Sequence, residues 1–401
     1  MAHINSEMLP VQRSRISGVR NIFASLLSSF CLMVSFSSMA AEAALASDSS
    51  LPSDVTISGF MSIVGGKVLS GSRSAPFNGV VCPCFISSWG NMGIYNQDVS
   101  FKQETRAGVR VAAKLSEELS GVVQVDGRTI NGGNTTLEWA YVSYKPAESW
   151  EVNVGRKRIP IYYYSDFIDV GFAYPWVRPP ALLYGWEVDN FNGATLVKSG
   201  HWNNWNSRTS IFYGREESKQ NILSNYFYPG VHPDLTWSHI LGADLELTHS
   251  WFNARLVYIQ SNVELEANSG QAFYDGSRYI EGKQRIYGLA INMDYQDWLL
   301  RSEFSKFDRW DTFGYRSHAW VAGVGKQVGD FTPMLSYGHW LDDNNYGSPV
   351  TASANIYASL RYDLDSTSAL KFQYDIMREL SSPDSTSGDA KMLSVAFDKV
   401  F

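Results

Sequence analysis

The stretch Ala369-Leu370-Lys371-Phe372-Gln373-Tyr374-Asp375-Ile376 decides the fold. Leu370, Phe372 and Tyr374 share one parity and Lys371, Gln373 and Asp375 the other, the period of two that belongs to an extended strand whose faces meet different surroundings. A helix would scatter the same residues around its axis. Two more stretches repeat the pattern. Thr105, Ala107, Val109 and Val111 oppose Glu104, Arg106, Gly108 and Arg110, while Leu241, Ala243, Leu245 and Leu247 oppose Asp244 and Glu246.

Working outward, runs of this kind are predicted at 55–68, 100–115, 119–129, 136–146, 150–158, 190–199, 207–217, 237–248, 251–262, 282–295, 298–307, 315–327, 331–341, 352–364, 369–378 and 390–401. That makes sixteen, an even number; the runs at 136 and 315 leave their facing open. Short links such as Ser116-Glu117-Glu118, His249-Ser250, Gln296-Asp297 and Gly329-Asp330 alternate with long ones near 69–99, 159–189, 218–236, 263–281 and 342–351. Such alternation puts turns at one end of an up-and-down barrel and loops at the other.

The composition says which solvent the barrel faces. Aromatics make up 14% of the 401 residues and charged residues only 18%, too few charges to cover an ordinary wet surface. Beyond the first 46 residues no apolar run approaches the roughly 18–20 residues of a membrane helix. In hydrocarbon every backbone N–H and C=O must be paired within the protein, so strands can span only as a closed barrel. The polar parity carries Arg110, Gln124, Asp126, Arg128, Arg255, Arg301, Glu303, Arg361, Lys371 and Asp375, a set expected to line a watery lumen rather than a dry core. Trp139, Trp150, Trp237, Trp251, Trp298 and Trp320, near strand ends, are expected in interface girdles.

The N-terminus sets the compartment. Arg13, Arg15 and Arg20 precede an apolar run from Ile22 to Phe36, and Ala44-Leu45-Ala46 supplies a small-residue cleavage pattern, so 1–46 reads as a secretory signal and 47–54 as a short lead before the barrel domain 55–401. Cleavage there leaves 30 basic and 38 acidic residues, a net of −8, with no run of Lys and Arg to suit nucleic acid. Cys82 and Cys84 both remain; in an oxidising compartment they form a disulfide across one residue, or stay free or intermolecular thiols.

The C-terminus, Leu393-Ser394-Val395-Ala396-Phe397-Asp398-Lys399-Val400-Phe401, resembles the insertion signal at the end of Gram-negative outer-membrane barrels, with Phe397 and Phe401 in the marked positions and Lys399 where the usual residue is apolar. The chain from Val55 to Phe401 resembles a Gram-negative trimeric porin. That resemblance implies a transmembrane antiparallel β-barrel of about 16 strands in the outer membrane, a homotrimer against lipid and lipopolysaccharide, and passive diffusion of ions and small hydrophilic solutes. It also implies a third loop that folds inward and narrows the channel, here 159–189, stiffened by Pro160, Pro175, Pro179 and Pro180. The family's acidic loop motif is not matched literally. On this reading Asp166, Asp169 and Arg178 line the constriction, and Arg106, Arg110 and Arg128 face them from the wall, giving a transverse field. Arg156 and Arg158 share parity with Val152 and Val154, so a regular strand would aim them at lipid unless a bulge near Gly155 re-aims them.

No cofactor or metal is expected. His201, His232, His239, His249, His318 and His339 are scattered, and there is no H-E-x-x-H, G-x-S-x-G or phosphate-binding loop, so an enzyme is not expected either. The alternatives are a solute-selective channel, a non-conducting adhesin barrel, and a soluble secreted β-sandwich.

Overall fold

The alternation is realised as sixteen antiparallel strands closed into one barrel in the computed structural model, which describes residues 54–401 apart from 269, 346–350 and 382–387. The expected signal 1–46, and the lead up to residue 53, lie outside the described residues. In chain order come β1 (Val55–Gly71), a small hairpin of β2 (Phe85–Ser88) and β3 (Gly93–Tyr95), then β4 (Arg106–Lys114), β5 (Leu119–Arg128), β6 (Thr135–Ala147), β7 (Trp150–Arg158), β8 (Asn190–Trp202), β9 (Trp205–Ser218) and β10 (Asp234–His249). β11 (Phe252–Glu266), β12 (Tyr279–Tyr295), β13 (Trp298–Arg309), β14 (Tyr315–Lys326), β15 (Phe331–Asn344), β16 (Thr351–Asp365), β17 (Ser368–Glu379) and β18 (Ala390–Val400) complete it. The β2–β3 pair stands apart from the barrel sheet. The run expected at 100–115 begins six residues late, at Arg106, because the first long connection extends to meet it.

β1 closes the ring, pairing with β4 on one side and β18 on the other. Phe401 finishes the seam: Gly59 N donates to Phe401 O at 2.8 Å and Phe401 N to Gly59 O at 3.0 Å. The Phe401 ring covers the place where a Cβ on residue 59 would project, which is why a glycine stands there. Lys399 departs from the apolar pattern without strain, since its Nζ donates to Thr367 Oγ1 at 2.7 Å beside the turn. At the short end, Gln296 and Asp297 both adopt positive φ (47° and 68°), the twist that lets two residues join right-twisted strands.

The outward parity is apolar all round: Val109, Val154, Leu256, Leu289, Leu335, Ile356, Phe372 and Leu393 are all exposed. An edgeless sheet with that surface is an outer-membrane β-barrel. Trp150, Trp251, Trp298 and Trp320 also lie on exposed outer positions, whereas Trp237 is fully buried and faces inward, and the Arg110 guanidinium stacks over the Trp139 ring. Those two are not girdle residues.

The inner wall is less uniform than the alternation implied. Ionic and amide groups dominate it on β4–β7, β17 and β18, but from β10 to β15 it presents Trp237, Ile240, Val257, Ile259, Ile286, Phe307, Val321 and Met334, all buried. Both surfaces are in contact with segment 159–189.

Candidate functional site

Segment 159–189 runs from the end of β7 to the start of β8. Its regular structure is limited to two single turns, Ser165–Phe167 and Gly171–Ala173, so its own backbone bonds cannot fix its course and side chains must.

Asp169 is the first anchor. Its two carboxylate oxygens accept from Arg128 and Arg158, and its backbone carbonyl accepts from Arg106 Nε at 2.7 Å. Arg106 also donates to the Tyr174 hydroxyl. Burial alone would raise the Asp169 carboxyl, but Arg128, Arg158 and Arg106 together hold it down at about 2, so it is a carboxylate under any ordinary condition.

Arg178 is the second anchor, with only 2% of its side chain exposed. Its Nε donates to both carboxylate oxygens of Glu104, at 2.9 and 3.0 Å, its Nη1 to Asp375 at 3.0 Å and its Nη2 to Ser394 Oγ at 2.6 Å. Between the anchors, Lys371 Nζ donates to Gly171 O at 2.5 Å and pairs with Asp398 at 2.9 Å, while Arg361 Nη1 donates to Phe172 O at 2.6 Å. Gly171 passes so close to Asp398 that any Cβ would overlap its carboxylate.

The opposite side of the segment meets β11, β13 and β15. Tyr163 N and the Tyr184 hydroxyl donate to the two oxygens of Glu303 at 2.7 and 2.5 Å, Arg255 donates to the Tyr162 and Tyr163 carbonyls at 3.3 Å, and Trp176 Nε1 donates to Ser336 Oγ at 3.0 Å. Many of the polar-parity residues are therefore dry: Asp126, Lys371 and Asp375 are each 1% exposed or less. The expectation of a wet lumen row is corrected in this respect. For Lys371 and Asp375 it is pairing, with the segment and with neighbouring strands, that offsets desolvation.

Of the expected residues, Arg106, Arg128, Arg158 and Asp169 come together, while Arg178, beside the same cavity, pairs with Glu104 and Asp375 instead. Arg110 stays on the wall against Trp139. Asp166 does not face the Arg106–Arg110–Arg128 row; it lines a cavity of about 20 Å³ with Lys157, Arg208, Asp244 and Arg255. Arg156 and Arg158 do not point to lipid. Arg156 forks onto Glu216 at 2.7 and 2.8 Å, and Arg158 pairs with Glu138 at 2.7 Å as well as with Asp169. The strand is re-aimed without any slip in register at Gly155, whose φ is +136° and which pairs with Gly193, itself opposite Gly214. A side chain at Gly155 or Gly193 would run into the neighbouring backbone. A true bulge lies next door: Gln124 pairs with Trp139 and Val125 with Leu137, so Glu138 is the extra residue, turned towards Arg158. This also explains the ambiguous facing of the 136 run.

Glu104, already on the polar parity, completes these networks with Glu138, Glu216 and Asp398, which the alternation alone did not single out. Glu104, Arg106, Arg128, Asp169, Arg178 and Asp189 line a cavity of about 70 Å³. In the first long connection Cys82 and Cys84 are joined at an Sγ–Sγ distance of 2.08 Å, both buried.

No family model and no curated protein matches the chain. Solved structures do. The outer membrane channel DcaP of Acinetobacter baumannii aligns with a TM-score of 0.57 and 11% identity, over 87% of this chain and 97% of that one. A loop L8 deletion mutant of OmpT, an outer membrane protein of Vibrio cholerae, gives 0.56 and 11% over 87% and 100%. The anion-selective porin from Comamonas acidovorans gives 0.54 and 13% over 86% and 99%. At these identities the likeness is one of fold: a closed sixteen-stranded barrel shared with outer-membrane channels.

Proposed function

We propose that this chain is a passive outer-membrane channel for ions and small hydrophilic solutes, exported by the 1–46 signal and assembled as a homotrimer in lipid and lipopolysaccharide. Segment 159–189 acts as its constriction. The observation that carries the reading is the span of the segment's bonds, from Arg106, Arg128 and Arg158 on one side of the wall to Glu303 and Ser336 on the other. A connection tied to strands on opposite sides of a barrel crosses its interior and narrows whatever passes.

Three arginines and three carboxylates line the cavity beside Asp169, so its net charge is small while opposite charges stand close together in it. The field between them orients dipolar solutes and disfavours apolar ones. The test is single-channel recording of the purified protein in a planar bilayer under asymmetric salt. Stable conductance, with a reversal potential that moves when Asp166 and Asp169 are both replaced by Asn, is expected. Absence of channels would leave the adhesin reading, and an unmoved reversal potential would place the narrowest point elsewhere.

A further inference from the structure

A second cavity, of about 420 Å³, adjoins the arginine-lined one at Tyr184 and Gly185 and lies between residues 181–186 of the segment, Trp89, the short helix Ile222–Phe227 and the inner faces of β13 to β15. Nine of the residues around it are aromatic. Trp89 stacks on Trp340 (ring centroids 6.4 Å apart, 22° between planes) and leans on Tyr226 at 6.0 Å, while Trp186 stacks on Phe307 at 4.1 Å. Among the described residues around it the one acidic side chain is Asp342, which accepts from the Tyr315 hydroxyl at 2.7 Å; no Lys or Arg is among them. Arg309 lies over the outer face of the Trp186 ring, 5.2 Å from its centroid, and is engaged by both oxygens of Glu187 at 3.0 and 2.5 Å, so the faces left open to the cavity are chiefly those of Trp89 and Trp340.

We infer that this cavity binds an organic cation: an amine or quaternary ammonium group on a flat apolar body. Ring faces carry negative potential and attract a cation, all the more where water is excluded, and the indoles are the strongest such faces. The Asp342 carboxyl supplies a counter-charge to a cation bound beside it, and no Lys or Arg lines the cavity to hold an anion, Arg309 being turned to Glu187 behind the Trp186 ring. The volume falls within the range of small-molecule sites. A sugar would also stack on the rings and could donate its hydroxyls to Asp342, which is why glucose is one of the ligands set against the cation below. The inference deepens the channel reading by naming a solute class, and its test needs no current to flow.

The experiment is isothermal titration calorimetry of the folded full chain in detergent micelles with benzyltrimethylammonium, set against benzoate and glucose. Saturable binding of the cation, none of the other two, and a loss of about tenfold or more in affinity on Asp342→Asn are expected. Trp89→Ala, on the loop side of the cavity, tests the ring cage independently of the barrel strands and is expected to weaken binding severalfold. Equal binding of benzoate, a preference for glucose, or unchanged affinity in both variants would overturn the assignment. Folding of each variant is checked by circular dichroism. Cation binding without conductance would sink the channel and leave the site; conductance without binding would do the reverse.

Discussion

The two sides of the inner wall hold one connection by different chemistry. On β4, β5, β7, β17 and β18 the wall offers Arg106, Arg128, Arg158, Lys371 and Asp375, and the segment answers with Asp169, Arg178 and bare carbonyls. On β10 to β15 it offers chiefly Trp237, Ile240, Ile259, Phe307 and Met334, with Arg255, Glu303 and Ser336 as the polar exceptions, and the segment answers mainly with Ile161, Tyr164 and Trp176. Apolar burial is favourable wherever the rings land, so it stabilises without choosing one register. Buried ion pairs add little net stability, yet they punish every arrangement that leaves a partner alone. The polar side therefore sets where the segment lies, and the apolar side makes lying there favourable.

The sharpest way to break this contrast is Arg178→Met. It keeps the bulk but leaves Glu104 and Asp375 buried without their cation, Asp375 retaining only the amides of Asn355 and Gln373, so a loss of about 3–5 kcal/mol is expected in urea unfolding from detergent micelles. A loss below about 1 kcal/mol would mean the cluster is hydrated and positions nothing. On the apolar side, Ile259→Ala opens a hole under the segment at a fully buried site. Its expected effect is roughly 2–4 kcal/mol, and, unlike the arginine change, it should leave the segment's resistance to added protease in the native state nearly intact.

Acid separates the two sides further. The Asp169 carboxyl titrates at about 2 in the folded protein, below its unfolded value, so its contribution is present at neutral pH and is lost as pH falls through the window from about 4 to 2. Over that window stability should decline by about 2 kcal/mol on this account, and Asp169→Asn should flatten the decline. If the wild type and Asp169→Asn lose stability in parallel between pH 4 and 2, Asp169 is not the ionised anchor described above.

How much of this was readable beforehand follows from the same division. Strand count and turns were open to inspection, because Leu370, Phe372 and Tyr374 face lipid while Lys371, Gln373 and Asp375 do not, and that difference repeats around the barrel. The apolar inner wall was hidden. Leu256-Val257-Tyr258-Ile259 is apolar on both parities, and nothing within the stretch says that Val257 and Ile259 are covered by a connection some hundred residues earlier. Asp169 and its arginines could be nominated from parity and resemblance. Arg156 and Arg158 could not be placed, since their facing turns on the φ of Gly155, which identity permits but does not dictate. Glu138 needed the bulge, a property of pairing between two strands rather than of either one.

The smallest expected effect falls on Asp166, three residues from the anchor. Among the described residues it closes no ion pair; it stands near Lys157 in the small cavity on the side of β7 to β11. Asp166→Asn should therefore shift unfolding by less than about 0.5 kcal/mol, where Asp169→Asn costs several times more. For conduction the order reverses. On the channel reading proposed above, the charge of Asp169 is already matched by three guanidinium groups, whereas Asp166 closes no ion pair with the Lys157, Arg158, Arg208 or Arg255 around its cavity, so the single Asp166→Asn change should move the reversal potential more than its stability effect would suggest. Recording the two single variants side by side in asymmetric salt decides it. A larger shift from Asp169→Asn, with the segment still protease-resistant, would mean that the paired carboxylate is the one the ions meet.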